Sequence, residues 1–296
     1  MSAPTTNQPR AYLLALTAVL LWSTVASAFK LSLRHLTPIQ LLAYATLVSL
    51  ITLLVMLAIQ GRLRGLIEGT AGDLRRSVML GLLNPVLYYL ILFEAYDRLP
   101  AQEAQPLNYT WAITLALLSI PLLRQRLSRW DLIGGLVAYA GVWVIATRGD
   151  VLGVEFADPM GVALALGSTV VWALYWIYNV RDGREPLVGL ASSFAVALPV
   201  VLVICALTDG LAVGSPAGLL GAAYVGVFEM GVAFACWLGA LKYSENTAKV
   251  GNLIFLSPFL SLVFIHFLVG EAILGSTYVG LVLIVAGLAL QQLRRR

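Results

Sequence analysis

Charge is scarce in this chain: Asp, Glu, Lys and Arg make up 11% of its 296 residues, against 60% apolar residues. A water-soluble domain carries roughly 25% charged residues, so a soluble fold is excluded. Histidine and cysteine are scarcer still, two of each, and both cysteines, Cys205 and Cys236, lie inside apolar runs. They have neither metal-type nor redox-type spacing, and no metal ligand is expected. The sequence also lacks HExxH, paired mid-span aspartates, a Ser-His pair on neighbouring turns and a Gly-rich nucleotide loop. These absences argue against an intramembrane hydrolase and an ATPase, so neither enzymatic activity nor a cofactor is expected. The net charge of +4 comes without an aromatic-interleaved basic cluster, which argues against nucleic acid as a partner.

What the chain has instead is long apolar segments with short polar breaks. Crossing about 30 Å of hydrocarbon takes about 20 helical residues. Spans are expected near 11–29, 38–60, 77–97, 101–123, 130–147, 159–180, 187–208, 217–241, 247–269 and 275–292. The first span has no small-residue cleavage site after it and is expected to be retained as a helix. The longest polar stretch, residues 61–76, is too short for a separate domain.

Orientation follows from the basic residues. With the N-terminus inside, fifteen of the nineteen Lys and Arg residues fall inside and only Lys30, Arg34, Arg98 and Arg148 outside. Both termini are therefore expected in the cytoplasm, with an even number of spans in a bacterial-type inner membrane. The two halves, 1–150 and 151–296, look alike at a separation of 145 to 146 residues over Arg98-Leu99-Pro100 and Tyr243-Ser244-Glu245, and over Gly134–Val144 and Gly280–Leu290. Trp22 likewise matches Trp172, and Thr37-Pro38 matches Glu185-Pro186. A five-span unit repeated in tandem inserts its second copy upside down. The expected fold is all-α and polytopic, ten transmembrane helices in two inverted five-helix repeats around a central cavity.

The segment from Ala240 to Val250, then Leu256-Ser257-Pro258-Phe259-Leu260, Leu268-Val269-Gly270-Glu271, Gly280 and Val285-Ala286-Gly287-Leu288 resembles the repeat of the drug/metabolite transporter superfamily. The branch it resembles is the EamA type. Pro121 to Leu127 and Ala140-Gly141-Val142 look like a weaker first copy, and Trp22 to Lys30 like the opening helix. The resemblance implies a carrier, and within the family the chain is most similar to bacterial aromatic amino-acid exporters. It departs from a simple repeat at Arg126, which stands where the second copy has Glu271.

Polar groups at mid-span are costly in lipid and mark a lumen or a partner. Asn84 of span three and Glu229 of span eight fall at matching places, 145 residues apart. A carboxyl at that depth suits proton coupling or a hydrogen bond to substrate; a cross-helix bond, even to Asn84, is the structural alternative. Tyr88 follows Asn84 by one turn, and Trp111 follows Asn108 by three residues, so each pair would share a helix face. Trp172, Tyr175, Trp176 and Asn179 crowd span six. Rings with polar tips can line a wet cavity and sandwich apolar side chains. The substrate-binding candidates are thus Asn84, Tyr88, Asn108, Tyr109, Trp111, Trp172, Trp176 and Glu229, with interfacial anchoring as the competing reading for the aromatics. Glu229 and His266 are the candidates for proton coupling, His266 having interfacial hydrogen bonding as its alternative. Gly134, Gly135, Gly141, Gly280 and Gly287 would let spans five and ten pack closely, as scaffold or as a contact between copies.

The expected function is secondary transport by alternating access, exporting or exchanging apolar and aromatic amino acids and related metabolites. Its partners would be the bilayer, a small-molecule substrate and a proton. The alternatives are multidrug efflux, a nucleotide-sugar or sugar-phosphate carrier, which would call for Lys or Arg at cavity depth, and a receptor that binds without flux.

Overall fold

The computed structural model describes residues 7–123, 129–152, 158–179, 181–244, 250 and 252–292. Arg126 and Lys249 lie outside them. In chain order the α-helices are α1 (Gln8–Leu33), α2 (Pro38–Ile59), α3 (Ala71–Gly81), α4 (Tyr88–Arg98), α5 (Ala101–Asn108), α6 (Trp111–Leu123), α7 (Arg129–Ala146), α8 (Pro159–Asn179), α9 (Pro186–Thr208), α10 (Pro216–Tyr224), α11 (Phe234–Tyr243), α12 (Ser257–Phe264) and α13 (Gly275–Gln292). Among the described residues every regular element is helical. Among the described residues six continuous stretches are long and apolar enough to cross a bilayer, and three shorter apolar helices accompany them. The chain is a polytopic membrane protein.

Local chemistry explains where helices begin. Thr37 accepts a hydrogen bond from the Gln40 amide while Gln40 reaches back to the Thr37 amide, a capping box with Pro38 at the first helical position. Glu185 caps α9 through the Val188 amide, again with a proline, Pro186, directly after it. Thus the two Xaa-Pro starts matched in the sequence share one capping device.

Several spans are not continuous α-helix. Between α3 and α4 the residues Leu82–Leu87 form a wide π-type turn, and Asn84 has extended backbone (φ −145°, ψ 115°). Pro85 has no N–H to donate and disfavours helical backbone in the residue before it. A second wide turn, Val225–Ala233, joins α10 to α11 without a proline. A third, Ile265–Val269, follows α12. The span expected at 101–123 is two helices, since α5 ends at Asn108 and α6 begins at Trp111.

Packing divides the chain into two compact units, Met1–Leu82 with Arg184–Phe264, and Leu83–Gly183 with Ile265–Arg296. The division at residue 150 concerns repetition in sequence; each packing unit draws on both halves. In the first unit α1 packs on α11, α12 and the Val225–Ala233 turn, while α2 packs on α9 and the same turn. Alanines 11, 15 and 240 form a fully buried cluster with Val250. At Gly226 a Cβ would stand 2.6 Å from the Ala45 carbonyl oxygen, so the wide turn rests directly on the α2 backbone.

In the second unit α8 packs on α4, α5 and α6. Spans five and ten, α7 and α13, are paired with each other within the chain. Glycines allow this: a Cβ on Gly141 would be 2.4 Å from the Gly280 carbonyl oxygen, and one on Gly287 2.3 Å from that of Gly134.

Candidate functional site

The second unit gathers most of the aromatic residues picked out in the sequence around Trp172. Tyr88 of α4 stacks on Trp172 of α8, with centroids 4.4 Å apart and planes 27° apart. On the next turn Tyr175 stacks on the same indole at 5.5 Å. Trp111 of α6 and Trp176 of α8 meet it edge-on, at 6.5 Å and 5.8 Å. Stacked and T-shaped pairs both match a π face against a positive ring edge. Trp172 is therefore the hub of a ring cluster built by three helices, and it is buried.

Amide and hydroxyl groups border the rings. The Tyr88 hydroxyl donates to Asn108 Oδ1 at 3.4 Å, and Asn108 Nδ2 donates to Ser168 Oγ at 2.9 Å. Asn108 and Trp111 do not share one helix face, because the helix stops between them. Each reaches the cluster separately, Asn108 through Tyr88 and Ser168, Trp111 through the Trp172 ring. Similarly, the extended backbone at Asn84 breaks the helical turn expected between it and Tyr88.

Three side chains of the second unit carry buried polar atoms with no hydrogen bond: Asn84 at both amide atoms, Gln105 at Oε1 and Trp176 at Nε1. Asn84 is fully buried, with the Tyr175 side chain as its neighbour. Leaving such groups unsatisfied costs about 1–3 kcal/mol each, a cost that a polar ligand or water at these atoms would remove. Donors and acceptors are both present in the set, and none of it is charged.

Tyr175 and Ser168 join the site although they were not among the sequence candidates, and Gln105, also not among them, lies buried on the adjoining α5. Gln105 stands one turn before Asn108 on α5, a helix tied down at its N-terminus. Glu271 accepts from the amides of Ala101 and Gln102 at 2.8 and 3.1 Å, and the Gln102 side chain bonds Ala272, Leu274 and Thr277. Glu103 pairs with Arg148 at 2.7 Å. Tyr109 lies at the α5–α6 junction, where its amide closes the last turn of α5 on Gln105.

Glu229 belongs to the first unit. It is buried in the Val225–Ala233 turn, in a unit whose packed helices carry buried, unbonded hydroxyls at Ser27, Thr46, Ser49 and Ser261. Trp22 there meets Phe234 and Trp237 at 5.9 and 5.4 Å, and the Thr24 and Tyr224 hydroxyls are 2.7 Å apart. His266 is exposed, its Nδ1 3.0 Å from the Glu271 carbonyl oxygen, and it is not part of the ring cluster. Among the described residues no group of His, Cys, Asp and Glu could hold a metal ion.

Comparison with known proteins agrees with this architecture. A model of the EamA-like transporter family matches the chain twice, over residues 9–147 and 159–291. An uncharacterized transporter from Clostridium kluyveri is 26% identical over 94% of this chain and 91% of its own length. The aromatic amino acid exporter YddG of Ancylobacter novellus is also 26% identical, over 98% of this chain and 99% of its own. One crystal structure superposes with a TM-score of 0.68 at 24% identity, covering 97% of this chain and 98% of its own, which shows a shared fold.

Proposed function

Because the chain belongs to the EamA-like transporter family, a family of membrane transporters rather than enzymes, we propose that it carries amino acids with aromatic or large apolar side chains across the bacterial inner membrane. The observation that carries this reading is the ring cluster on Trp172 with unbonded amide and indole groups in the same unit. A flat side chain fits among flat rings, and a zwitterion needs donors and acceptors together. Asn84, Gln105 and Trp176 offer both. The relative named as an aromatic amino acid exporter supports the same cargo.

Transport proceeds by alternating access, in the direction of export or as exchange, with both termini in the cytoplasm and the two halves inserted in opposite orientation. Glu229 is the group that would take up a coupling proton, as the ionisable residue of a wide turn of the kind that recurs at functional sites.

Counterflow of labelled amino acids into liposomes tests the proposal. Saturable uptake of Trp, Tyr or Phe, competed by large apolar amino acids and lost in Trp172→Ala, is expected. No counterflow with any amino acid would overturn it.

A further inference from the structure

The helices α2 and α9 are capped by the residues just before them, Thr37 and Glu185. The short helix α5 has no such device, because the residue before it is Pro100, which makes no capping bond. Eight residues with open amides at their start form a marginal helix on their own. The cap comes instead from 170 residues further along the chain: Glu271 Oε1 accepts from the Ala101 amide at 2.8 Å, and its Oε2 accepts from the Gln102 amide at 3.1 Å. A carboxylate set there makes charge-assisted hydrogen bonds and meets the positive end of the helix dipole.

The chain presents Glu271 deliberately. After the wide turn Ile265–Val269, Gly270 takes a left-handed conformation (φ 82°) that a side chain would resist. The Glu271 carbonyl oxygen then lies 3.0 Å from His266 Nδ1. Two further ties hold the same end of α5. The Gln102 side chain donates to the Ala272 carbonyl oxygen at 2.9 Å and accepts from the Leu274 amide and the Thr277 hydroxyl at 2.8 and 3.1 Å. Glu103, only 2% exposed, pairs with Arg148 at 2.7 Å. All these residues belong to the second unit.

The other end of α5 reaches the ring cluster. Asn108 is its last residue, and it accepts from the Tyr88 hydroxyl at 3.4 Å and donates to Ser168 at 2.9 Å. Ala101 and Asn108 lie about 10 Å apart along the axis at 1.5 Å per residue. The helix is thus a short rod with a clamp at one end and a substrate-site amide at the other. Fraying of its first turn would carry Asn108 off its partners, and the bond from Tyr88 is already near the limit of hydrogen-bond length.

We propose that Glu271 is a positioning residue for the substrate site: by capping α5 it fixes where Asn108 meets Tyr88 and Ser168, and so sets the affinity for an aromatic amino acid. The proposal rests on the transport reading above, and two measurements separate them. The first is hydrogen–deuterium exchange of the full chain in detergent, which needs no flux. Glu271→Ala should speed exchange over residues 101–108 about tenfold and leave α1 and α2 of the first unit unchanged. Unchanged exchange in α5, or acceleration spread equally over α1 and α2, would overturn the proposal. The second is counterflow in liposomes. Glu271→Ala should raise the substrate concentration at half-maximal flux about tenfold while keeping maximal flux within about twofold, and should raise it no further in an Asn108→Ala background. An equal rise in both backgrounds would overturn the route through Asn108. Should Glu271→Ala fail to fold, Glu271→Gln, which keeps one accepting oxygen, is expected to give about a threefold effect in both measurements, and no effect in either would overturn the proposal. No flux from the unsubstituted protein would remove the transport reading and the substrate role with it, whereas flux indifferent to both Glu271 variants overturns this proposal alone.

Discussion

Asn84 and Glu229 stand 145 residues apart in sequence, and each lies where its span abandons α-helical geometry, but for different reasons. At Asn84 the cause is covalent, since Pro85 removes a donor and excludes helical backbone before it. At Glu229 the cause is tertiary, since Gly226 and Gly231 let a widened turn lie against α2. The chemistry differs as well. The unit holding Asn84 offers neutral amides and stacked rings, whereas the unit holding Glu229 offers a carboxyl and unbonded hydroxyls. On the function proposed above, one break would serve to recognise a solute and the other to exchange a proton.

The sharpest way to break this comparison is Gly226→Leu. With 2.6 Å between a Cβ there and the Ala45 carbonyl oxygen, the turn cannot stay on α2, and near-complete loss of monodisperse protein by size exclusion in detergent is expected. Trp172→Ala comes next: removing a hub of several ring contacts, worth on the order of 0.5–1.5 kcal/mol each, should lower counterflow of aromatic substrates about a hundredfold, with Trp172→Phe recovering most of it. Asn84→Leu should lower the same flux about tenfold by taking away polar groups offered to the substrate, while leaving its pH dependence intact. Glu229→Gln is expected to change flux at one pH only severalfold but to flatten its pH profile. If Asn84→Leu altered the profile and Glu229→Gln did not, the two assignments would have to be exchanged.

Much of this was legible in the sequence because the bilayer makes hydropathy and punctuation decisive. Thr37-Pro38 and Glu185-Pro186 announced helix starts, and both are capped as such. At Asn84 the sequence was read as continuous helix to Tyr88, although Pro85 directly after it disfavours helical backbone at that residue. The wide turn at Glu229 gave no such signal, since it depends on glycines meeting a helix about 180 residues earlier in the chain. Gln105 was missed for a related reason. In Ala101–Asn108 the side chains of Gln102, Glu103 and Gln105 are no more than 5% exposed. Their burial is tolerated because Gln102 and Glu103 find partners at residues 271–277 and at Arg148, and no local pattern reveals partners so distant. Tyr88, Trp111, Trp172 and Trp176 were singled out as aromatics of these spans, but that they meet on Trp172, with Tyr175 among them, depends on the packing of α4, α6 and α8.

The glycine seam between α7 and α13 has a practical consequence. Where main chain rests on main chain, at Gly141 against Gly280 and Gly287 against Gly134, there is little room for one helix to slip along the other. The pair is a ruler built into the molecule: spin labels placed on the outward faces of α7 and α13 should report one narrow distance distribution whatever solute is added. Against that fixed length, broadening between labels elsewhere in the protein can be read as motion rather than as error.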